Sequence, residues 1–180
     1  MKRLILLSAI LFLASIPAKA QSSYPSTEIF GGYSYASTEL ITRRNTNGFG
    51  ASFAGNLSEN WGFVGEISGH YGKDVFNFPI IGDVEVKFNK YLFLGGPRYS
   101  KRGNAATGFA HVLVGGARLN VEGQDNGSGL AVAVGGGVDV NAGKNFAIRA
   151  FQVDYIPERS LGRWTQTFRA QFGIVLKFGQ

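Results

Sequence analysis

From Trp61 to Tyr71 the residues alternate without a break. Trp61, Phe63, Gly65, Ile67, Gly69 and Tyr71 share one parity; Gly62, Val64, Glu66, Ser68 and His70 share the other. The same pattern closes the chain, where Trp164, Gln166, Phe168, Ala170, Phe172, Ile174, Leu176 and Phe178 face one way and Thr165, Thr167, Arg169, Gln171, Gly173, Val175 and Lys177 the other. Period two belongs to a strand, because successive side chains leave opposite faces of the pleat. Sustained over more than ten residues, it describes a long strand with one apolar and one small or polar face.

Read in this way, the 180 residues hold eight strands, at about 27 to 36, 47 to 57, 61 to 71, 86 to 99, 107 to 120, 129 to 140, 146 to 156 and 164 to 178. The connections alternate in length. Ser58 to Asn60, Lys101 to Ala106 and Asn141 to Lys144 are short and turn-like, whereas Ser37 to Thr46, Lys73 to Glu85, Val121 to Ser128 and Pro157 to Arg163 are longer and more polar. This is an up-and-down antiparallel meander whose two ends differ.

Residues 1–20 stand apart from this pattern. Lys2 and Arg3 precede an apolar run from Leu4 to Ile16, and Ala18-Lys19-Ala20 gives a small-x-small cleavage site before Gln21. This is the plan of a secretory signal peptide, and the run is too short to span a bilayer as a helix. The expected domains are therefore a cleaved leader over 1–20 and one barrel over 21–180. Loss of Lys2, Arg3 and Lys19 lowers the formal charge from +6 to +3. So little charge, with no basic cluster among stacking aromatics, gives no footprint for nucleic acid. With no Cys, disulfide scaffolds, thiolate zinc sites and cysteine nucleophiles are excluded.

Soluble sandwiches and lipocalin-like barrels also alternate, so the character of the two faces decides. A soluble barrel points its apolar face inward; an outer-membrane barrel presents that face to lipid and keeps the polar face inside. Three features favour lipid: strands long enough to cross a bilayer at a tilt, aromatics near strand ends, and an opposite face of Gly, Ala and Ser with few charges. The expected architecture is an all-β, eight-stranded antiparallel transmembrane barrel. Tyr33, Tyr35, Phe49, Trp61, Tyr71, Tyr91, Tyr99, Phe109, Tyr155, Trp164 and Phe178 would be its interfacial aromatics.

On that reading Glu28, Glu66, Arg98, Arg118, Gln152, Asp154, Arg169, Gln171 and Lys177 point into a narrow lumen. Buried charges must be paired, so Glu66 and Asp154 are expected to face Arg98, Arg118 or Arg169 in a plug that leaves no continuous pore. Arg149 has the parity of Phe151, Val153 and Tyr155 and so faces lipid, snorkelling near the turn at Asn141 to Lys144, unless a bulge intervenes.

The segments Phe30-Gly31-Gly32-Tyr33-Ser34-Tyr35, Gly96-Pro97-Arg98-Tyr99-Ser100, Phe109-Ala110-His111 and Asp154-Tyr155 carry a resemblance. With the strand array, they make the chain similar to the small OmpA/OmpX-like outer-membrane β-barrels, over essentially all of the mature length. The resemblance implies residence among the lipid and lipopolysaccharide of a Gram-negative outer membrane, as a monomer without cofactor; with no second domain after residue 180, the peptidoglycan-binding half of larger relatives is expected to be absent. It also implies insertion by the barrel-assembly machinery, which reads a terminal aromatic strand. Phe172, Ile174, Leu176 and Phe178 fit that signal, although Gly179 and Gln180 follow.

Some barrels of this kind are lipid-modifying enzymes, which makes His70 and His111 the residues to weigh. The His-x-Ser pattern of that branch is missing from His70-Tyr71-Gly72 and His111-Val112-Leu113, leaving only a cross-strand Ser68 or Ser100 as nucleophile. Two His on separate strands give no metal constellation. The glycine pairs lie inside strands rather than in a phosphate-binding loop. The apolar segment Phe76, Phe78, Pro79, Ile80 and Ile81 extends a hairpin above the membrane or meets a loop partner, and Arg43, Arg44 and Arg159 offer contacts for anionic headgroups. The expected role is structural or surface-interacting, without a large pore. A lipid-modifying enzyme and a soluble periplasmic barrel for an apolar ligand are the alternatives.

Overall fold

The computed structural model describes residues 24–39, 43–78, 82–121, 127–160 and 163–179, with side chains placed for all of these except 39, 43–44, 74–78, 82–87, 121, 160 and 163. The leader expected over 1–20, Pro79 to Ile81 and the side chains of Arg43, Arg44, Phe76 and Phe78 lie outside the described residues.

Eight strands follow one another: β1 (Thr27–Glu39), β2 (Arg43–Asn56), β3 (Trp61–Phe78), β4 (Gly82–Arg102), β5 (Ala106–Val121), β6 (Gly127–Asn141), β7 (Phe146–Ser160) and β8 (Arg163–Phe178). Each pairs antiparallel with its chain neighbours, and β1 pairs with β8 from Thr27↔Phe178 to Glu39↔Gln166, closing the barrel. Closure leaves no open sheet edge.

One end is closed by tight turns. Leu57 N and Ser58 N donate to Trp61 O, Gly103 N to Ala106 O, and Ala142 N and Gly143 N to Phe146 O. At this turn end Asn56 N also donates to Ser26 O, and Gly179, in the left-handed region at φ 73°, accepts from Ser26 N. At the opposite end most of the expected loops are strand. Pairing continues to Glu39↔Arg43, Phe78↔Gly82, Leu119↔Gly127 and Ser160↔Arg163. Polar residues such as Asn45 and Asn47 make the same backbone ladder as apolar ones, so a loss of alternating hydropathy does not mark the end of a strand.

The faces are inverted relative to a soluble protein. Ile29, Phe53, Phe63, Ile67, Phe93, Val134, Phe151 and Phe172 lie exposed on the outer wall, while Glu28, Glu66, Arg98, Gln152, Asp154 and Arg169 are buried inside. The interior also holds an apolar cluster around Leu92, Leu94, Leu113 and Ile156, and a smaller one of Phe30, Ala147 and Val175.

Candidate functional site: the barrel interior and its outer wall

The inward parity of each strand stacks the polar side chains in tiers. Nearest the turn end, Glu28 takes hydrogen bonds from Arg98, from Arg102 at 3.0 Å and from Asn56 Nδ2 at 3.1 Å. Lys177 Nζ donates to Asn141 Oδ1 at 2.6 Å beside a cavity of about 360 Å³ lined by Asn104, Lys144 and the turn glycines.

One tier further in, Arg149 donates from Nε to Asp139 Oδ1 at 2.8 Å and from an Nη to Gln152 Oε1 at 2.6 Å. Its guanidinium lies between the rings of Phe30 and Phe109, 4.2 and 4.5 Å from their centroids. Such a cation between two π faces, out of water, gains about 2 kcal/mol per ring.

At mid-barrel Arg169 bridges two carboxylates. It pairs with Glu66, reaches Asp154 Oδ2 through Nε at 3.0 Å and Nη2 at 2.7 Å, and donates to Ser68 Oγ at 2.9 Å. Gln152 Nε2 ties Asp154 to Glu66, and His111 Nε2 lies 2.7 Å from Asp154 Oδ1. Inward glycines make the room: a Cβ on Gly135 would stand 2.0 Å from Asp154 Oδ1, and one on Gly50 would stand 2.6 Å from Gln171 Nε2. Beyond this tier, Lys90 Nζ meets Glu158 Oε1 at 2.5 Å and Thr167 Oγ1 at 3.1 Å.

Of the residues expected inside, Glu28, Glu66, Arg98, Gln152, Asp154, Arg169, Gln171 and Lys177 are all buried there. Glu66 and Asp154 share Arg169, while Arg98 serves Glu28 instead.

Three placements are corrected. Arg118 is exposed on the outer wall, because inward His111, Leu113 and Ala117 put it on the parity of Val112 and Val114. Arg149 is buried, because the register shifts between Arg149 and Gln152 and leaves both Ala150 and Phe151 outside. Phe109 does not belong to the aromatic belt; it is buried on the parity of His111, against Arg98 and Arg149. Sequence reasoning also missed Lys90, Arg102, Asp139 and Glu158. Simple parity with Leu92 and Ile156 would have placed Lys90 and Glu158 inside.

His70 and His111 are both interior. His70 Nε2 is 2.8 Å from Ser34 Oγ, its Nδ1 has no hydrogen-bond partner, and its side chain is fully buried. Ser68 is engaged by Arg169. Among the described residues, then, neither His joins an oriented, accessible Ser-His-acid set.

On the outer wall Tyr33, Tyr35, Phe49, Trp61, Tyr71, Tyr99, Tyr155, Trp164 and Phe178 are exposed, and Tyr91 packs edge-on against Tyr71 at 6.2 Å between centroids. Trp61 packs against Tyr99 at the turn end, 5.2 Å apart. Ten residues of β3 separate Trp61 from Tyr71, a rise of about 25 Å for a strand tilted by about 40°. That matches the height of an apolar band between two aromatic girdles.

No protein-family model and no curated protein matches the chain by sequence. Solved structures do match in shape. Neisserial surface protein A aligns with a TM-score of 0.65 and 11% identity over 87% of this chain and 100% of its own. The outer membrane protein OprG of Pseudomonas aeruginosa gives 0.57 and 13% over 87% and 97%, and the attachment invasion locus protein Ail of Yersinia pestis gives 0.56 and 18% over 86% and 99%. The chain therefore has the fold of the small outer-membrane β-barrels, in keeping with its resemblance to the OmpA/OmpX-like type.

Proposed function

We propose that this protein is an integral outer-membrane β-barrel of a Gram-negative cell, with a structural or surface-interaction role and no large pore. The observation that carries this reading is the inversion of faces: a continuous apolar wall about 25 Å high surrounds an interior of paired charges. In water such a wall would be an aggregating surface far beyond the patches that soluble monomers tolerate. A soluble periplasmic barrel would need the opposite arrangement.

Arg169, Gln152, Gln171 and His70, all but fully buried, occupy the lumen and support the lack of a wide channel. The sealed positions of His70 and His111 favour a non-catalytic role. Within this reading, residues 1–20 are the cleaved leader and the β8 aromatics are presented to the barrel-assembly machinery. The mature chain then resides as a monomer among outer-membrane lipid and lipopolysaccharide, and its extracellular strand ends are free for a loop partner.

The test is gel mobility of unboiled against boiled membrane fractions, with carbonate extraction. A heat-dependent mobility shift and resistance to extraction are expected. An extractable protein without a shift would overturn the reading.

A further inference from the structure

Among the described side chains of the strands, the carboxylates Glu28, Glu66, Asp139, Asp154 and Glu158 all point inward. The exposed charges described on the outward parity are cations: Lys101 near the turn end, and Lys73, Arg118 and Arg159 toward the opposite end. Lipid disfavours an exposed guanidinium on a barrel wall unless it reaches the interface and an anion there.

Two of these cations are set around one strand. Arg118 of β5 lies opposite Ser128 of β6, and Arg159 of β7 lies opposite Leu130, the next outward residue of β6. Flanking β6 in this way, two strand spacings across and two residues along, their backbones stand about 12 Å apart. Arg118 also lies opposite Tyr91, a member of the aromatic girdle, and the Arg159 guanidinium is 6.0 Å from the centroid of Trp164. Neither arginine has a carboxylate partner among the described residues. Toward mid-wall, Val112, Val114, Leu130 and Val134 form an exposed bed of aliphatic side chains.

We infer that Arg118, Arg159 and Trp164 form a binding site for a phosphorylated glycolipid of the outer leaflet. Two cations separated by a strand suit two phosphates on one rigid headgroup. The face of Trp164 suits the C–H face of a sugar, and the aliphatic bed takes the acyl chains. Phosphatidylglycerol, with one phosphate and no ring, meets only part of this arrangement. The inference rests on the outer-membrane reading and names the lipid that the wall selects.

The experiment uses the mature chain folded into phosphatidylcholine nanodiscs containing either diphosphorylated lipid A or phosphatidylglycerol at equal charge, with the lipid retained on the purified protein quantified by mass spectrometry. Lipid A should be enriched at least tenfold over phosphatidylglycerol. The R118Q/R159Q variant should lose that enrichment at least tenfold, W164L should lose part of it, and K101Q, at the other end of the wall, should keep it. Retained enrichment in R118Q/R159Q, or equal enrichment of phosphatidylglycerol, would overturn the site. The heat-dependent mobility shift, checked on each variant, separates the two claims. A shifted variant is a folded barrel, so its result bears on the site alone, whereas a wild type that inserts into no nanodisc removes the outer-membrane reading and the site with it.

Discussion

Arg169 and Asp154 face each other in the β7–β8 register and meet through a single carboxylate oxygen. Both Nε and Nη2 of the arginine donate to Asp154 Oδ2, at 3.0 and 2.7 Å, which leaves Oδ1 to His111. With Glu66 on its other side, Arg169 is the one cation between two fully enclosed acids at mid-barrel.

Removing that cation is therefore more damaging than removing the whole group. Arg169→Met should lower stability by about 3–5 kcal/mol, because it strands two buried carboxylates. Adding E66Q and D154N in the same chain should recover most of that loss. Urea titration of the barrel folded in lipid vesicles measures both effects.

Two glycines make a matched pair. Gly135→Ala would drive a Cβ to 2.0 Å from Asp154 Oδ1 and 2.4 Å from Val153 O, with backbone on one side and an ion-paired carboxylate on the other. A cost of about 1–3 kcal/mol is expected. Gly31→Ala, where nothing stands within 4 Å of the new atom, should stay within about 0.5 kcal/mol of wild type in the same titration.

The bulge in β7 has its own signature. The chain has no Cys, so single-cysteine variants can be labelled without background. Fluorophores at A150C and F151C should both be quenched by brominated acyl chains, whereas R149C and Q152C should be shielded. Strict alternation through these four positions would contradict the bulge and return Arg149 to the wall.

How much of this was legible in the sequence follows from what alternation can carry. The long runs in β3 and β8 reveal their faces because every outward residue except Gln166 is apolar, aromatic or small, and Glu66 and Arg169 stand on the other parity. The bulge left no trace, since Ala150 and Phe151 are both acceptable outside and only the ladder records the extra residue. Arg118 was misplaced because Gly115 and Gly116 carry no side chain to transmit the parity of Leu113. Phe109 looked like a girdle residue by its place near a strand end, yet it fills the interior as one face of the Arg149 sandwich. The ends of β3 and β4 resemble loop in the sequence because alternation fades there while backbone pairing does not. The ion-pair partners needed barrel closure: Glu28 and Arg98 are 70 residues apart in sequence and meet only across the lumen.

A charge placed at the middle of the outer wall should behave differently from Arg118. Val134→Arg, half exposed at the middle of β6, should cost about 2–4 kcal/mol in vesicles, against at most about 1 kcal/mol for a cation near an interface. Comparing V134R with an added arginine at Ser128 by urea titration gives the depth dependence directly.

The central claim is that the apolar face meets lipid and the charged face does not. A cysteine scan of β8 from Phe172 to Lys177, labelled with an environment-sensitive fluorophore in vesicles containing brominated lipid, addresses it most directly. Positions 172, 174 and 176 should be strongly quenched and positions 173, 175 and 177 protected, with a period of two. Quenching without that period, or water-soluble iodide reaching positions 172, 174 and 176 while lipid does not, would contradict the account.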